Sequence, residues 1–230
     1  MERETVLITG SSKGLGKELA TVFAEHNYNI ILNARHHKEL EKTRAELSNR
    51  GVNVFTVVGD ITNDNTIIQL AWLANRTSLS ILINNAGSEL SGLKYQLHTL
   101  HFNHIEELIN VHLTAAIKMT NKIYPIFLKR GGGTIININS LAGLESQPLR
   151  STYCASKWGL RGFTETLRIE AAPDNIKVMA IYPSRIKTRP EFASYGWEPR
   201  EVAHKIYIAY KDGVLDLDLD ARPEEFKKKR

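Results

Sequence analysis

Hydrophobic positions along the chain fall into short apolar runs separated by longer amphipathic or charged stretches. Thr5–Thr9 (TVLIT), Asn29–Asn33 (NIILN), Val52–Val58, Leu79–Ile83, Thr134–Asn139 and Lys177–Tyr182 read as strands. A brief run without polar alternation, bounded by glycine or proline, is the pattern of a strand buried on both faces. Val214–Leu219 (VLDLDL) alternates apolar and acidic residues, as an edge strand with one wet face does. Between these runs the spacing predicts helices over Lys17–Glu25, Lys38–Arg50, Asn63–Asn75, Asn103 to Lys129, Ser151–Ala172 and Pro199–Lys211. Gly51 and Pro173 stop two of them. Asn103 and Glu106 have capping-box spacing, and Pro125 predicts a kink or break in the longest helix. Seven strands with helical crossovers predict an α/β fold, a doubly wound parallel sheet with helices on both faces.

Composition narrows the classes. The 230 residues suit one domain over 1–222, followed by a basic tail over 223–230. No repeat or low-complexity linker divides it. No apolar run approaches the ~18–20 residues that cross a bilayer, so no membrane partner is expected. The charged opening MERET is no signal peptide. One cysteine, Cys154, permits no intrachain disulfide and points to a reducing, cytoplasmic setting. The net charge is +5, but Lys227–Arg230 supply four of those charges, so the folded part is close to neutral. A nucleic-acid partner would need a basic face that such a balance does not suggest.

The first strand runs into Gly10-Ser11-Ser12-Lys13-Gly14-Leu15-Gly16 and then a helix. Glycine lets a pyrophosphate approach the backbone, and the helix N-terminus offers unpaired N–H groups and partial positive charge. Ser11 and Ser12 add hydroxyl donors. The second strand ends Asn33-Ala34-Arg35, with no acid over Asn33–His37 to bind a ribose 2′-hydroxyl. Arg35 and Lys13 suit a 2′-phosphate instead. Each charge-assisted hydrogen bond contributes ~1.5–3 kcal/mol, so two favour NADP over NAD by roughly a hundredfold or more.

Tyr153 and Lys157 lie four apart on a helix and share a face. An ammonium there stabilises the phenolate and brings the phenol toward neutral operation. Ser140 follows the fifth strand, at the edge where open α/β sheets place their sites, and its hydroxyl is positioned to hold a substrate oxygen. Tyr207 and Lys211, with Ser194, repeat the spacing, but Ser194 has no strand to position it, so the repeat reads as coincidence.

These motifs together resemble the short-chain dehydrogenase/reductase family, which has a Rossmann-type fold. The carriers are Thr9–Gly16, Asp60, Asn84-Asn85-Ala86-Gly87, Ser140 and Tyr153-Cys154-Ala155-Ser156-Lys157. The resemblance implies NADPH-dependent reduction of a ketone or aldehyde, reversible as alcohol dehydrogenation. Tyr153 would be the general acid/base. Lys157 would hold the nicotinamide ribose, Ser140 would polarise the carbonyl, and Asn110 would hold a relay water. Asp60 and Ile61 would lie against adenine, and Asn85, Ala86 and Gly87 would line a ribose. Pro183, Ile186 and Thr188 fall with the cofactor, the last two at positions that clamp the carboxamide. No metal is implied. Relatives pair the two helices Asn103–Lys129 and Ser151–Ala172 in a homodimer, and Trp158, Phe163 and Leu167 are expected to leave surplus apolar surface for it. Asp216, Asp218 and Asp220 are expected to repel a second copy at the last strand, against a tetramer.

The chain departs from the family in Pro183-Ser184, where Pro-Gly is common, in a short loop after Thr188, and in its C-terminal ending. The rival class is a non-catalytic NADP(H)-binding sensor or scaffold on the same fold. His98, His101 and His104 read as a surface cluster, and Cys154 as packing. Trp197 and Tyr195 suit either an apolar wall over substrate or ordinary loop packing.

Overall fold

All five residues of β1, Thr5–Thr9, are buried, as a two-sided core strand requires. The computed structural model describes residues 3–188 and 196–222. After β1 come α1 (Gly14–Glu25), β2 (Asn29–Ala34), α2 (His37–Ser48), β3 (Val54–Val58), α3 (Asp64–Ala74) and β4 (Leu79–Asn84). Two short 3-10 turns lead to α4 (Phe102–Ile109), a π-turn over Asn110–Thr114 and α5 (Ala115–Arg130). Next follow β5 (Gly133–Ile138), a 3-10 turn at Leu141–Gly143, α6 (Ser151–Ala171), β6 (Ile176–Pro183), α7 (Pro199–Lys211) and β7 (Asp216–Leu219).

The strands form one parallel sheet in the order β3-β2-β1-β4-β5-β6-β7. The order reverses between β1 and β4, and a crevice opens where loops leave in opposite directions. Strand alternation builds two cores. Val6 and Ile8 pack toward α1, α2 and α7, with Leu19, Phe23, Leu40 and Ile206. Leu7 points the other way, toward α3, α5 and α6, with Ile67, Leu70, Met119 and Phe127. A polar ladder crosses the second layer: Asn84 Nδ2 donates to Asn137 Oδ1 at 2.9 Å, and Asn137 Nδ2 donates to Thr164 Oγ1 at 2.9 Å. These bonds fix β4 and β5 to α6 in a single register.

Several expectations are corrected. The longest helix is interrupted at Asn110–Thr114, not at Pro125. Pro125 sits on the exposed side of α5, and the helix continues through it to Arg130. The Asn103–Glu106 capping box does not form. Helix α4 starts one residue earlier, with His101 as N-cap, so Asn103 already lies inside the first turn. Strand β7 begins at Asp216, because Val214 closes the turn after α7 by donating its N–H to Ala209 O at 2.9 Å.

On α6, Leu167 is buried in the core, so it leaves no surplus surface. Phe163 is partly buried against the same core, while Trp158 is 45% exposed. The acidic side of β7 is compensated. Arg168 donates to both oxygens of Asp216 at 2.9 and 3.0 Å, and Arg222 pairs with Asp220.

Candidate active site

The crevice at the carboxyl ends of β1, β4, β5 and β6 is one cleft of about 1390 Å3. At one end lies the glycine loop. Gly10 has φ +65, and a Cβ there would stand 2.8 Å from Ala86 Cα. A Cβ on Gly16 would stand 2.2 Å from Gly10 O, so neither position tolerates a side chain. The loop is tied to the end of β4. Thr9 Oγ1 accepts the N–H groups of Asn85 and Ala86, and Asn85 Nδ2 donates to Thr9 O and Gly10 O, all at 2.9–3.0 Å. The N-cap of α1 is Lys13, and no side chain caps its amides. These N–H groups face the cleft that Lys13, Gly14, Leu15 and Gly16 line. An anionic ligand is the partner such an end favours.

Ser11 does not join this cradle. It is fully buried, and its hydroxyl accepts the Asn33 N–H at 3.0 Å, which ties the loop to β2. Ser12, Lys13 and Arg35 line a side pocket of about 120 Å3 with Gly10, His36, Asp60 and Ile61. Asp60 Oδ1 accepts the N–H and hydroxyl of Thr62 at 2.8 and 2.7 Å, which fixes the pocket floor. Lys13 pairs with Glu89 at 3.3 Å, but both side chains are largely exposed, and such a pair is worth little against a phosphate.

Deeper in the cleft stand Asn85, Ala86, Gly87, Ser140, Tyr153 and Lys157. Ser140 is buried, and its Oγ accepts the Ala142 N–H at 3.1 Å, leaving its own hydrogen to donate elsewhere. Tyr153 is half-buried, one turn before Lys157 on α6. Lys157 Nζ donates to Ile138 O at 2.9 Å and lies 6.0 Å from the Tyr153 ring centre. Burial pushes its ammonium down to about 7. The Tyr153 phenol opens onto the same cleft.

Asn110 is exposed and does not line the cleft, which corrects the expectation for it. The residue that points inward from the π-turn is His112. Its ring is buried, 5.3 Å from the Tyr153 ring and edge-on to it at 83°. Its Nε2 lies 2.7 Å from Ser91 Oγ and takes the Ser88 N–H at 3.4 Å. Sequence reading missed it, although Leu108, His112, Ala115 and Met119 form an inward stripe at helical spacing. A small cavity of about 10 Å3 beneath His112 and Lys157 is near the size of one water.

Pro183, Ile186 and Thr188 line the opposite wall. Thr188 Cγ2 abuts Gly14, closing this wall onto the glycine loop. Ser184 clamps the chain's C-terminal segment: its Oγ donates to Leu219 O at 3.2 Å and accepts the Ala221 N–H at 2.7 Å. That brings Arg222 into the cleft wall, where it holds Glu145 through two bonds at 2.9 and 3.0 Å. The departures at Ser184 and at the C-terminus are therefore one feature.

Trp197 does not line the cleft; it packs on the first core and donates Nε1–H to Leu219 O at 3.2 Å. Tyr195, Ser194 and the tail 223–230 lie outside the described residues. Tyr207 stacks on His26 at 3.8 Å, away from the cleft, so the second Tyr-Lys pair has no role there. Cys154 is buried in packing. Among the described residues no cluster suits a metal ion, and no helix is long and apolar enough to cross a membrane.

Residues 4–195 match the short chain dehydrogenase family, and the chain belongs to that family. The ketoacyl reductase HetN of Nostoc sp. is 28% identical over 96% of this chain and 79% of its own. An alcohol dehydrogenase from the archaeon Thermococcus sibiricus, complexed with 5-hydroxy-NADP, superposes with a TM-score of 0.87 at 25% identity, covering 97% of this chain and 100% of that one. A short-chain dehydrogenase from Sphingobium yanoikuyae, in complex with NADPH, gives 0.84 at 27% identity over 94% and 87%.

Proposed function

We propose that the chain is an NADPH-dependent reductase of a ketone or aldehyde, reversible as an alcohol dehydrogenase. The observation that carries this reading is that Ser140, Tyr153 and buried Lys157 open onto the same cleft as the glycine loop. The loop fits a dinucleotide, because Gly10 and Gly16 leave no room for side chains and the α1 amides are uncapped. Lys13, Arg35 and His36 around the side pocket support a 2′-phosphate. The NADP-type ligands of the two structural neighbours support the same choice.

When bound, the nicotinamide supplies hydride to the carbonyl carbon. Ser140 donates its free hydroxyl hydrogen to the substrate oxygen and holds it. Tyr153 gives that oxygen its phenolic proton. The Lys157 ammonium then stabilises the phenolate until a proton returns. In the reverse direction the phenolate takes the alcohol proton. Gly87 lets the His112 ring approach closely, since a Cβ there would lie 3.2 Å from His112 Cε1.

The reading extends to a homodimer through α5 and α6. Its support is exposed apolar surface, with Ile169 78% and Trp158 45% accessible. The deciding experiment for the activity is NADPH oxidation against a panel of ketones, aldehydes, quinones and acyl-thioester ketones. Turnover of any member with NADPH preferred over NADH supports the reading. Tight NADPH binding with no turnover across the panel favours the non-catalytic sensor instead.

A further inference from the structure

Arg150, the N-cap of α6, lies with its Cζ 4.3 Å from the centre of the Tyr153 ring, closer than Lys157 Nζ at 6.0 Å. Its guanidinium is held across the cleft. Nη2 donates to Ser91 O and Nη1 donates to Gln147 Oε1, both residues of the cleft lining. Its Nε is buried and finds no hydrogen-bond partner among the described residues.

We propose that Arg150 is a positioning residue for Tyr153, a permanent cation locked over the phenol ring that favours its phenolate and fixes its orientation. The proposal rests on the reading of Tyr153 as the acid/base. Ser91 organises both sides of the arrangement. Its carbonyl holds Arg150 and its hydroxyl meets His112, whose ring is set edge-on to the Tyr153 ring. The phenol is thus bracketed by a guanidinium and an imidazole. The charges around it differ in kind. Lys157, on the phenol's own helix, is brought near neutrality by burial, with a value of about 7. Arginine stays protonated throughout the working range. Glu145, in the same cleft wall, is tied to Arg222. Lys13, Glu89, Lys94, Arg185 and Lys187 are the other charged groups that line the cleft.

The test reads the phenol itself, so it does not depend on finding a substrate. Full-length protein labelled with [13Cζ]tyrosine would be titrated with and without NADP+, and the Tyr153 signal assigned by its loss in Tyr153→Phe. An opposite charge at this range lowers a titration midpoint by about one unit or more. Arg150→Gln should therefore raise the Tyr153 midpoint by about one unit, with tenfold less phenolate at a given pH. Arg150→Lys, which keeps the charge, should stay near the wild-type value. A wild-type midpoint in Arg150→Gln, or equal rises in the Gln and Lys variants, would overturn the proposal. Should the Gln variant not fold, Arg150→Lys alone decides, and a rise of about a full unit there counts against the charge. Failure of the carbonyl panel alongside a raised midpoint would strike the reductase reading and leave this relationship standing.

Discussion

Lys157 donates its Nζ proton to Ile138 O at 2.9 Å from a side chain only 4% exposed. Burying an ammonium with so little compensation is destabilising. Between about pH 7 and the open-chain value of 10.5 the unfolded chain holds a proton here that the folded chain does not. Stability should therefore rise with pH across that window, and the penalty is full below it. Lys157→Met should raise Tm at about pH 7 by roughly 3–6 °C. The gain should shrink as pH climbs toward the upper limit. Activity should fall by about a hundredfold or more. Scanning calorimetry across the window checks the sign, and a lowered Tm at neutral pH would contradict it.

His112 and Asn110 make a paired test. His112→Ala removes the Ser91 and Ser88 contacts and one side of the Tyr153 bracket. It should cost about 1–3 kcal/mol of stability and lower kcat by about tenfold. Asn110→Ala, on the exposed side of the π-turn, should leave both quantities within about twofold of wild type. Urea unfolding and steady-state rates on the two variants decide it. A larger loss in Asn110→Ala would restore the asparagine to the site.

Arg222→Ala would leave Glu145 buried without the guanidinium that holds it. Breaking a buried pair typically costs about 3–5 kcal/mol. A Tm drop of roughly 6–20 °C follows for a chain of this size. The double change Arg222→Ala with Glu145→Gln should recover part of it. An unchanged Tm in the single variant would mean that the C-terminal segment is not held by this pair.

The parallel sheet and most of the cleft were legible because their signals are local. Apolar runs mark strands buried on both faces, and the glycine loop and Asn84–Gly87 stand directly at strand ends. Asn110 reads as a site residue because the triplet Ile109-Asn110-Val111 resembles a motif, while helical phase decides which residue faces inward. His112 shares the buried stripe and Asn110 does not. Ser11 reads as a phosphate donor in sequence, yet its hydroxyl is taken by Asn33, which is 22 residues away. The Glu145–Arg222 pair spans 77 residues and has no local signature. Long-range polar partnerships depend on packing that periodicity does not encode.

Cofactor preference tests the side pocket. Arg35→Asp adds repulsion against a 2′-phosphate, and Lys13→Ala removes an attraction. Together they should shift the ratio of kcat/KM for NADPH over NADH by roughly a hundredfold or more toward NADH. An unchanged ratio would show that the phosphate is held elsewhere.

The central claim is that the Tyr153 hydroxyl is the proton donor, and Tyr153→Phe removes that one atom. Single-turnover and steady-state rates of carbonyl reduction, measured beside the Kd for NADPH, test it most directly. The account predicts a loss of about 10²–10⁴ in kcat, with NADPH affinity within a few-fold of wild type. A variant that keeps more than about a tenth of wild-type turnover would contradict it.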